Sequence, residues 1–358
     1  MMHTPFTQKL QIRHPIVQAP MAGGPTTPDL IAAVSNAGGL GNLGAGYLTP
    51  QQIGQAIREV KERTDHPFGV NLFVPEPFIE SAEEIHQVTN HLNAYRVQLG
   101  ITQNPNISNY AESFEEQVQA VLDGKVPVCS FTFGIPESRI IKALKQRGTL
   151  VIGTATTVEE AIRLEAAGVD AIVAQGSEAG GHRGAFLNQP IEPLVGTMAL
   201  VPQMVDAVSL PVIAAGGIMD GRGLAASLAL GASAVQMGTA FLACTESGAH
   251  PAYKQKVLVA HEDETVITHV YSGKAARGII TDFVKDMDQY SGAIPPYPIQ
   301  NALTRDIRQA AAKANNPEYM SLWAGQGVRQ ATDRSAAEIV QHTVEQAIAV
   351  LNRMPLNS

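Results

Sequence analysis

Eight short apolar segments alternate with helical patterns along most of this 358-residue chain, and this alternation constrains its fold more than any other feature. Strands that alternate with helices form parallel sheets through right-handed crossovers. The segments are rich in Val, Ile, Ala and Leu and lack strict alternation, as expected for strands covered on both faces. Eight such units fill one closed (β/α)8 barrel of the TIM type, and no switch point favours an open sheet. The predicted strands are residues 15–19, 40–44, 68–73, 126–131, 150–153, 169–173, 211–215 and 234–237.

The alternation is interrupted in two places. Residues 75–125 are long for one connection and carry helical patterns at about 81–99 and 113–122, so we expect an elaborated loop there. The second region, 244–327, contains the proline-rich run 295–298 and most of the later aromatic residues, and we predict a small, mainly helical substrate or lid domain inserted after the eighth strand. The predicted organisation is a barrel over 1–243, the insertion over 244–327, and a closing segment over 328–358 with its helix at about 335–351.

Composition and charge exclude several classes of function. The hydrophobic fraction is 45% and the mean hydropathy +0.01, values typical of a globular protein with a sizeable core. A formal net charge of −8 argues against binding to nucleic acid or to an anionic membrane surface. Neither a signal peptide nor a membrane span is visible, and Cys129 and Cys244 are too few for a disulfide framework or a metal cluster. We therefore expect a cytoplasmic protein with buried, reduced cysteines.

Two glycine-rich segments follow the last two predicted strands. Gly216-Gly217 lies after the seventh, and Gln236-Met237-Gly238-Thr239 ends the eighth. In barrels of this type these two loops commonly bind a phosphate, because glycines free backbone N–H groups and the positive end of a helix dipole favours an anion. The alternative is that the glycines only form tight turns. The two segments together favour phosphate binding.

Amide side chains at three strand ends indicate what kind of phosphate-bearing ligand the barrel binds. Asn71, Gln175 and Gln236 offer both donors and acceptors to the N–H and C=O edges of an isoalloxazine ring. This pattern favours flavin mononucleotide (FMN) over a simple sugar phosphate. Met21, in the loop after the first strand, is a candidate wall of the ring pocket, although packing of the loop would explain it equally well.

The loop 174–184 holds the candidate catalytic residue. It follows the sixth predicted strand and carries four glycines together with Glu178, His182 and Arg183. His182 fits a general base, a hydrogen-bonding group for an anionic substrate, or an ordinary loop histidine; the flanking glycines and charges favour a functional role. No HxH, HExxH or paired-cysteine pattern accompanies it, so we expect no metal.

The predicted insertion holds further polar and aromatic candidates. Lys274 and Arg277 lie in the run 272–278, and they either line an anionic ligand or anchor the insertion to the barrel. Tyr297 and Trp323 are candidates for a substrate-side wall, and ordinary packing of large aromatic residues explains them equally well.

Together these motifs resemble the FMN-dependent nitronate monooxygenases, formerly called 2-nitropropane dioxygenases, of bacterial class I. The resemblance extends over about residues 15–327 and rests on residues 18–23, 69–71, 130–134, 175–184, 215–218 and 236–239. It implies a TIM barrel with a small substrate domain, and a histidine of the active site at position 182. Some class I members have a second histidine where this chain has Thr132. The cofactor residues that it implies are Asn71, Gln175, Gly180, Gly217, Gln236, Met237, Gly238 and Thr239.

The resemblance further implies oxidation of alkyl nitronates, such as propionate 3-nitronate, by O2 to carbonyl compounds and nitrite. His182 would bind the nitro group or accept a proton. An NAD(P)H-dependent flavin reductase of quinones or enoyl thioesters is the nearest alternative, and a non-flavin phosphate-binding barrel enzyme or sensor is the second. We expect small-molecule partners only, and a monomer or a homodimer.

Overall fold

The computed structural model of the chain describes residues 2–102, 107, 109–187 and 193–353. Within them, eight parallel strands lie in the order β1-β9-β8-β6-β5-β4-β3-β2, and this sheet closes on itself. Val17 and Leu40 form a parallel bridge between its two ends, and the Leu40 N–H donates to the Ile16 carbonyl at 2.9 Å. The predicted (β/α)8 barrel is therefore confirmed. The strands are β1 (Ile16–Gln18), β2 (Gly41–Gly44), β3 (Phe68–Phe73), β4 (Val128–Thr132), β5 (Leu150–Ala155), β6 (Ala171–Gln175), β7 (Gly181–His182), β8 (Val212–Ala215), β9 (Ala234–Met237), β10 (Thr265–Thr268) and β11 (Ala276–Ile279).

Helices surround the barrel, and many begin where the sequence offers a side-chain cap. Thr49 forms a capping box with Gln52, and Thr27 and Thr157 each accept a hydrogen bond from a backbone N–H three residues on. The helices are α1 (Pro5–Leu10), α2 (Pro28–Asn36), α3 (Pro50–Lys61), α4 (Ala82–Gln98), α5 (Phe114–Gly124), α6 (Ser138–Gln146), α7 (Val158–Ala167), α8 (Thr197–Ala207), α9 (Gly221–Ala229), α10 (Thr239–Leu242), α11 (Pro251–Val259), α12 (Asp282–Asp288), α13 (Ile299–Leu303), α14 (Arg305–Lys313) and α15 (Ala336–Arg353), with 3-10 turns at Pro317–Tyr319 and Val328–Gln330.

The sixth barrel strand begins two residues later than the sequence predicts. Asp170 interrupts the apolar run, because its carboxylate accepts a hydrogen bond from Val151 N–H at 3.0 Å and pairs with Lys9 and Lys145. Strand β6 consequently starts at Ala171 and extends to Gln175. This shift carries the polar Gln175 into the last position of the strand, at the edge of the barrel mouth.

The region 244–327 contains sheet as well as helix. Strand β10 pairs with β11, and β11 pairs with β7, a two-residue strand that includes His182. The antiparallel β10-β11-β7 sheet thus joins this region to the loop after β6. The domain boundaries at 243 and 327 stay a prediction, and parts of two predicted segments (103–106, 108 and 354–358) lie outside the described residues.

Within the described part of the chain, the buried apolar side chains form three clusters. The largest lies between the barrel strands and their surrounding helices. A second joins α11–α14 to α4, where the buried Arg96 also pairs with Asp306 at 2.8 Å. A third places Phe6 and Leu10 of α1 against the amino ends of the strands and so fills that end of the barrel. Both cysteines are buried and unpaired. Among the described residues, every helix is too short or too polar to cross a lipid bilayer.

Candidate active site

A cavity of about 790 Å³ opens at the carboxyl ends of the barrel strands. This is the end at which barrel enzymes bind their ligands. The wall combines strand ends, the loop 176–182 and residues of α14. Nine of the ten residues predicted for the site line it: Met21, Asn71, Gln175, Gly180, His182, Gly217, Gln236, Gly238 and Thr239.

Met237, the tenth, does not line the cavity. Its side chain is 1% exposed and packs in the largest apolar cluster. Gln236 does line the cavity, because successive side chains of a strand point to opposite faces. Gly238 lines it too, directly after the strand ends. A contact between Met237 and a cofactor stays a prediction.

Glycines in the loops after β8 and β9 form one part of the cavity wall. Gly217 has φ of +69°, a conformation that favours glycine, and Gly238 leads directly into α10. The Thr239 hydroxyl oxygen accepts a hydrogen bond from Gly325 N–H at 2.9 Å, so its own hydrogen is left for a ligand. This part of the wall presents backbone groups and a hydroxyl, which is the chemistry predicted for a phosphate site.

The amide side chains differ in what they leave for a ligand. Asn71 donates to Ser130 Oγ at 2.9 Å and to Thr132 Oγ1 at 3.2 Å, so its carbonyl oxygen is the polar atom left for the cavity. Gln175 donates to the His182 carbonyl at 3.0 Å and accepts from Gly184 N–H at 2.7 Å. Gln175 therefore holds the loop that carries His182, a role its position in the sequence did not reveal.

His182 projects into a cage of aromatic rings. Its ring centroid lies 5.4 Å from that of Trp323, 5.7 Å from Phe133 and 6.0 Å from Tyr297. Burial, followed by the charges of Lys274 and Arg308, lowers the pKa of His182 to about 3. The imidazole is therefore neutral at physiological pH.

The other charged residues of the loop brace it. Glu178 accepts hydrogen bonds from the backbone N–H and the hydroxyl of Thr197 at 2.9 Å, which ties the loop to the start of α8. Arg183 is 1% exposed and donates to the Gly176 carbonyl at 2.7 Å. Gly180 packs so closely on the chain that a Cβ there would lie 2.5 Å from Gly325 N. The polar groups of the loop thus serve mainly to fix the position of His182.

Lys274 and Arg277 also act as anchors. Lys274 pairs with Glu76 at 2.8 Å, and its ammonium lies 4.8 Å from the centre of the Phe133 ring. Arg277, in β11, donates to the Ser177 carbonyl at 3.0 Å. Both residues connect the region 244–327 to loops of the barrel mouth.

A cationic end of the cavity was missed in the sequence. Arg305 and Arg308, on the first turns of α14, line the cavity together with Tyr47. Arg308 donates to the carbonyl and the side-chain oxygen of Asn301 at 2.7 and 2.9 Å, and neither arginine pairs with a carboxylate among the residues that the structure describes. The sequence signal for this cationic end was the i, i+3 spacing of two arginines. Solvent-exposed helices show the same spacing, so it did not point to a binding site.

Metal ligation finds no support in the side-chain positions. Over the described residues, no three His, Cys, Asp or Glu side chains are grouped so that they would hold a metal ion. The polar residues that line the cavity are mainly amides, hydroxyls and arginines, with single imidazole and carboxylate groups spread among them.

The fold and this cavity define a (β/α)8-barrel protein with a ligand site at the carboxyl ends of its strands. Comparison with known proteins gives the family. The family model described as nitronate monooxygenase matches residues 3–346. The probable nitronate monooxygenases of Staphylococcus haemolyticus and Staphylococcus saprophyticus are 51% and 48% identical to the chain, and the alignments cover 97% and 98% of it and 97% and 99% of the relatives.

Solved structures agree with this result. Nitroalkane oxidase from Streptomyces ansochromogenes superposes with a TM-score of 0.91 at 39% identity, over 97% of this chain and 99% of that one. FabK from Thermotoga maritima gives 0.79 at 33% identity, over 99% of each chain. The chain belongs to the nitronate monooxygenase family, as the resemblance of its motifs predicts. It is therefore an enzyme, of a family that oxidises nitronates and generally depends on flavin.

Proposed function

We propose that the chain is an FMN-dependent monooxygenase that oxidises alkyl nitronates with O2 to carbonyl compounds and nitrite, with His182 at the reacting group. The observation that carries this proposal is that His182 and two arginines line the same cavity. An uncharged imidazole and two arginines without a carboxylate partner among the described residues suit an anionic substrate. Membership of the family supplies the reaction class.

The residues present fit FMN. Gly217, Gly238 and Thr239 would hold the phosphate, since they offer backbone groups and a hydroxyl without bulky side chains. Asn71 and Gln236 would meet the polar edges of the ring, and Met21 would form an apolar wall. Bound FMN would supply the electron-accepting group that nitronate oxidation requires. Binding and orientation of the substrate fall to side chains of this chain.

We propose that α14 selects substrates with a second anionic group, such as the carboxylate of propionate 3-nitronate. Arg308 uses Nε and Nη2 on the Thr304 and Asn301 oxygens and leaves the Nη1 hydrogens for a ligand. Burial raises the pKa of Tyr47, so its phenol stays protonated and adds a neutral donor. A nitronate near His182 and a carboxylate near Arg308 would thus occupy the two ends of one substrate pocket.

The test is an absorbance spectrum of the purified protein, recorded anaerobically before and after addition of NADH and then of propionate 3-nitronate. We expect a flavin spectrum that NADH leaves unchanged and the nitronate bleaches, FMN in the supernatant after denaturation, and nitrite after admission of air. Bleaching by NADH alone would favour the flavin reductase instead. A colourless protein that also fails to bind added FMN would contradict the proposal.

A further inference from the structure

Ser272 stands directly behind His182 and contacts its ring. Its side chain is 1% exposed, and its Oγ lies 2.8 Å from His182 Nε2. Ser272 is not among the residues that line the cavity, so it does not meet the substrate itself. Its direct contact with the residues of the site is therefore the one with the imidazole.

The hydrogen bonds around Ser272 favour one of the two positions for the imidazole proton. The Ser272 hydroxyl donates to the Lys274 carbonyl at 3.1 Å and accepts from Lys274 N–H at 3.3 Å. A serine hydroxyl has one hydrogen, so with that hydrogen on the Lys274 carbonyl its oxygen must accept from His182. Nε2 then carries the proton, and Nδ1 carries the lone pair.

Nδ1 is the atom that remains for chemistry. Nδ1 has no hydrogen-bond partner among the described residues. It is not one of their fully buried polar atoms, and His182 lines the cavity, so Nδ1 is accessible to a ligand. In the opposite tautomer, the Ser272 hydroxyl would donate to Nε2, and the Lys274 carbonyl would lose its hydrogen bond from Ser272. An N–H at Nδ1 could not accept a proton.

We propose that Ser272 is a positioning residue that holds His182 as the Nε2–H tautomer, so that Nδ1 acts as the proton acceptor for neutral nitroalkanes. This inference rests on the proposed function, because it supplies the nitronate that the enzyme then oxidises. In the step, the α-carbon–hydrogen bond breaks, its electron pair remains on the carbon and nitro group as the nitronate, and the proton moves to Nδ1.

The surrounding charges make this step costly without a substrate and feasible with one. Lys274 and Arg308 oppose an imidazolium, while the Tyr297 phenol facing the ring is neutral. Glu76 partly offsets Lys274. The nitronate formed in the step places a negative charge beside Nδ1 and stabilises the imidazolium. Preformed nitronates need no proton transfer, so they are expected to react faster than nitroalkanes.

The first measurement is ¹⁵N NMR of the holoenzyme labelled at histidine, with the His182 signals identified by their loss in His182→Gln. We expect a protonated Nε2 and an unprotonated Nδ1 in the wild type, retention of that pattern in Ser272→Thr, and a mixture of tautomers in Ser272→Ala. Protonated Nδ1 in the wild type would overturn the proposal, whatever the variants do.

The second measurement compares kcat for nitroethane and for ethyl nitronate. Ser272→Ala should lower the nitroethane rate at least tenfold more than the nitronate rate, and Ser272→Thr should restore the ratio. Ser227→Ala, which removes a buried serine hydroxyl within α9, is the matched control and should leave the ratio unchanged. Equal losses on both substrates contradict the positioning role. A protein without nitronate oxidation contradicts the proposed function instead, and the NMR result still decides the tautomer.

Discussion

Replacement of Arg308 by methionine gives the sharpest test of the substrate pocket. Methionine keeps much of the apolar stem and removes the guanidinium. The change should weaken catalysis with propionate 3-nitronate and leave propyl 1-nitronate almost unaffected, because only the first substrate carries a carboxylate for Arg308. The comparison of two substrates in one variant cancels any general loss of folded enzyme.

The size of the effect follows from the donors that Arg308 has free. Nε and Nη2 are engaged with Thr304 and Asn301, so a carboxylate can take its hydrogen bond from Nη1. A hydrogen bond to a charged group contributes about 1.5–3 kcal/mol. At about 1.4 kcal/mol per factor of ten, kcat/KM for propionate 3-nitronate should fall roughly 10- to 150-fold.

Nitrite formation under air, measured over a range of substrate concentrations, gives kcat/KM for both substrates. Arg308→Lys should recover part of the loss, because it restores the charge but not the planar donor geometry. Arg139→Met removes a surface arginine paired with Glu115 and Glu137 and should change neither substrate. An equal loss on both nitronates, or no loss on propionate 3-nitronate, would refute the assignment of Arg308.

Four further predictions concern the cofactor, the histidine and the fold. Gly217→Ala should purify with little FMN by absorbance, whereas Gly100→Ala, at an equally positive φ of +71° but away from the cavity, should keep it. His182→Asn should retain FMN and lose most turnover, and full activity would remove the assignment. The pKa of His182 in the folded state lies below the unfolded value of about 6.5, so the stability that the neutral imidazole contributes above pH 6.5 is lost as the pH falls toward 3. On acidification over this range, the thermal midpoint of unfolding should therefore fall less in His182→Asn than in the wild type. Glu160→Gln should lower the free energy of unfolding by about 2 kcal/mol in urea titrations, because the buried carboxylate accepts from Thr156 and from Phe186 N–H.

The barrel was predictable because its determinants are local. A buried parallel strand requires only a short apolar run, and a helix start requires a cap such as Thr49, so both can be seen within a few residues. The two-residue error at the sixth strand arose where Asp170 interrupts an apolar run through hydrogen bonds to a neighbouring strand. That partner is close in space but 19 residues away in the sequence.

The parts of the site that sequence reasoning missed depend on distant contacts. Ser272 is an ordinary serine until β11 pairs with β7 and brings it to His182, 90 residues earlier in the chain. Arg308 is an ordinary helical arginine until α14 is placed over the barrel mouth. No local pattern distinguishes either residue from a solvated or structural one. His182 was predictable because its glycine-rich surroundings are consecutive in the sequence.

The candidate site has two halves, the predicted cofactor contacts and the cationic end, and they differ in which part of the fold supplies their residues. The predicted phosphate and ring contacts come from strand ends, which belong to the barrel core. The cationic end comes from α14, which packs in the second cluster and is joined to α4 through the buried Arg96–Asp306 pair. Because α14 contributes buried side chains to the second cluster alone, side chains on α14 can change without disturbing the barrel strands. We therefore expect substitutions at Arg305 and Arg308 to alter the preference among nitronates while the affinity for FMN stays the same. A loss of FMN in those variants would show that the two halves are coupled.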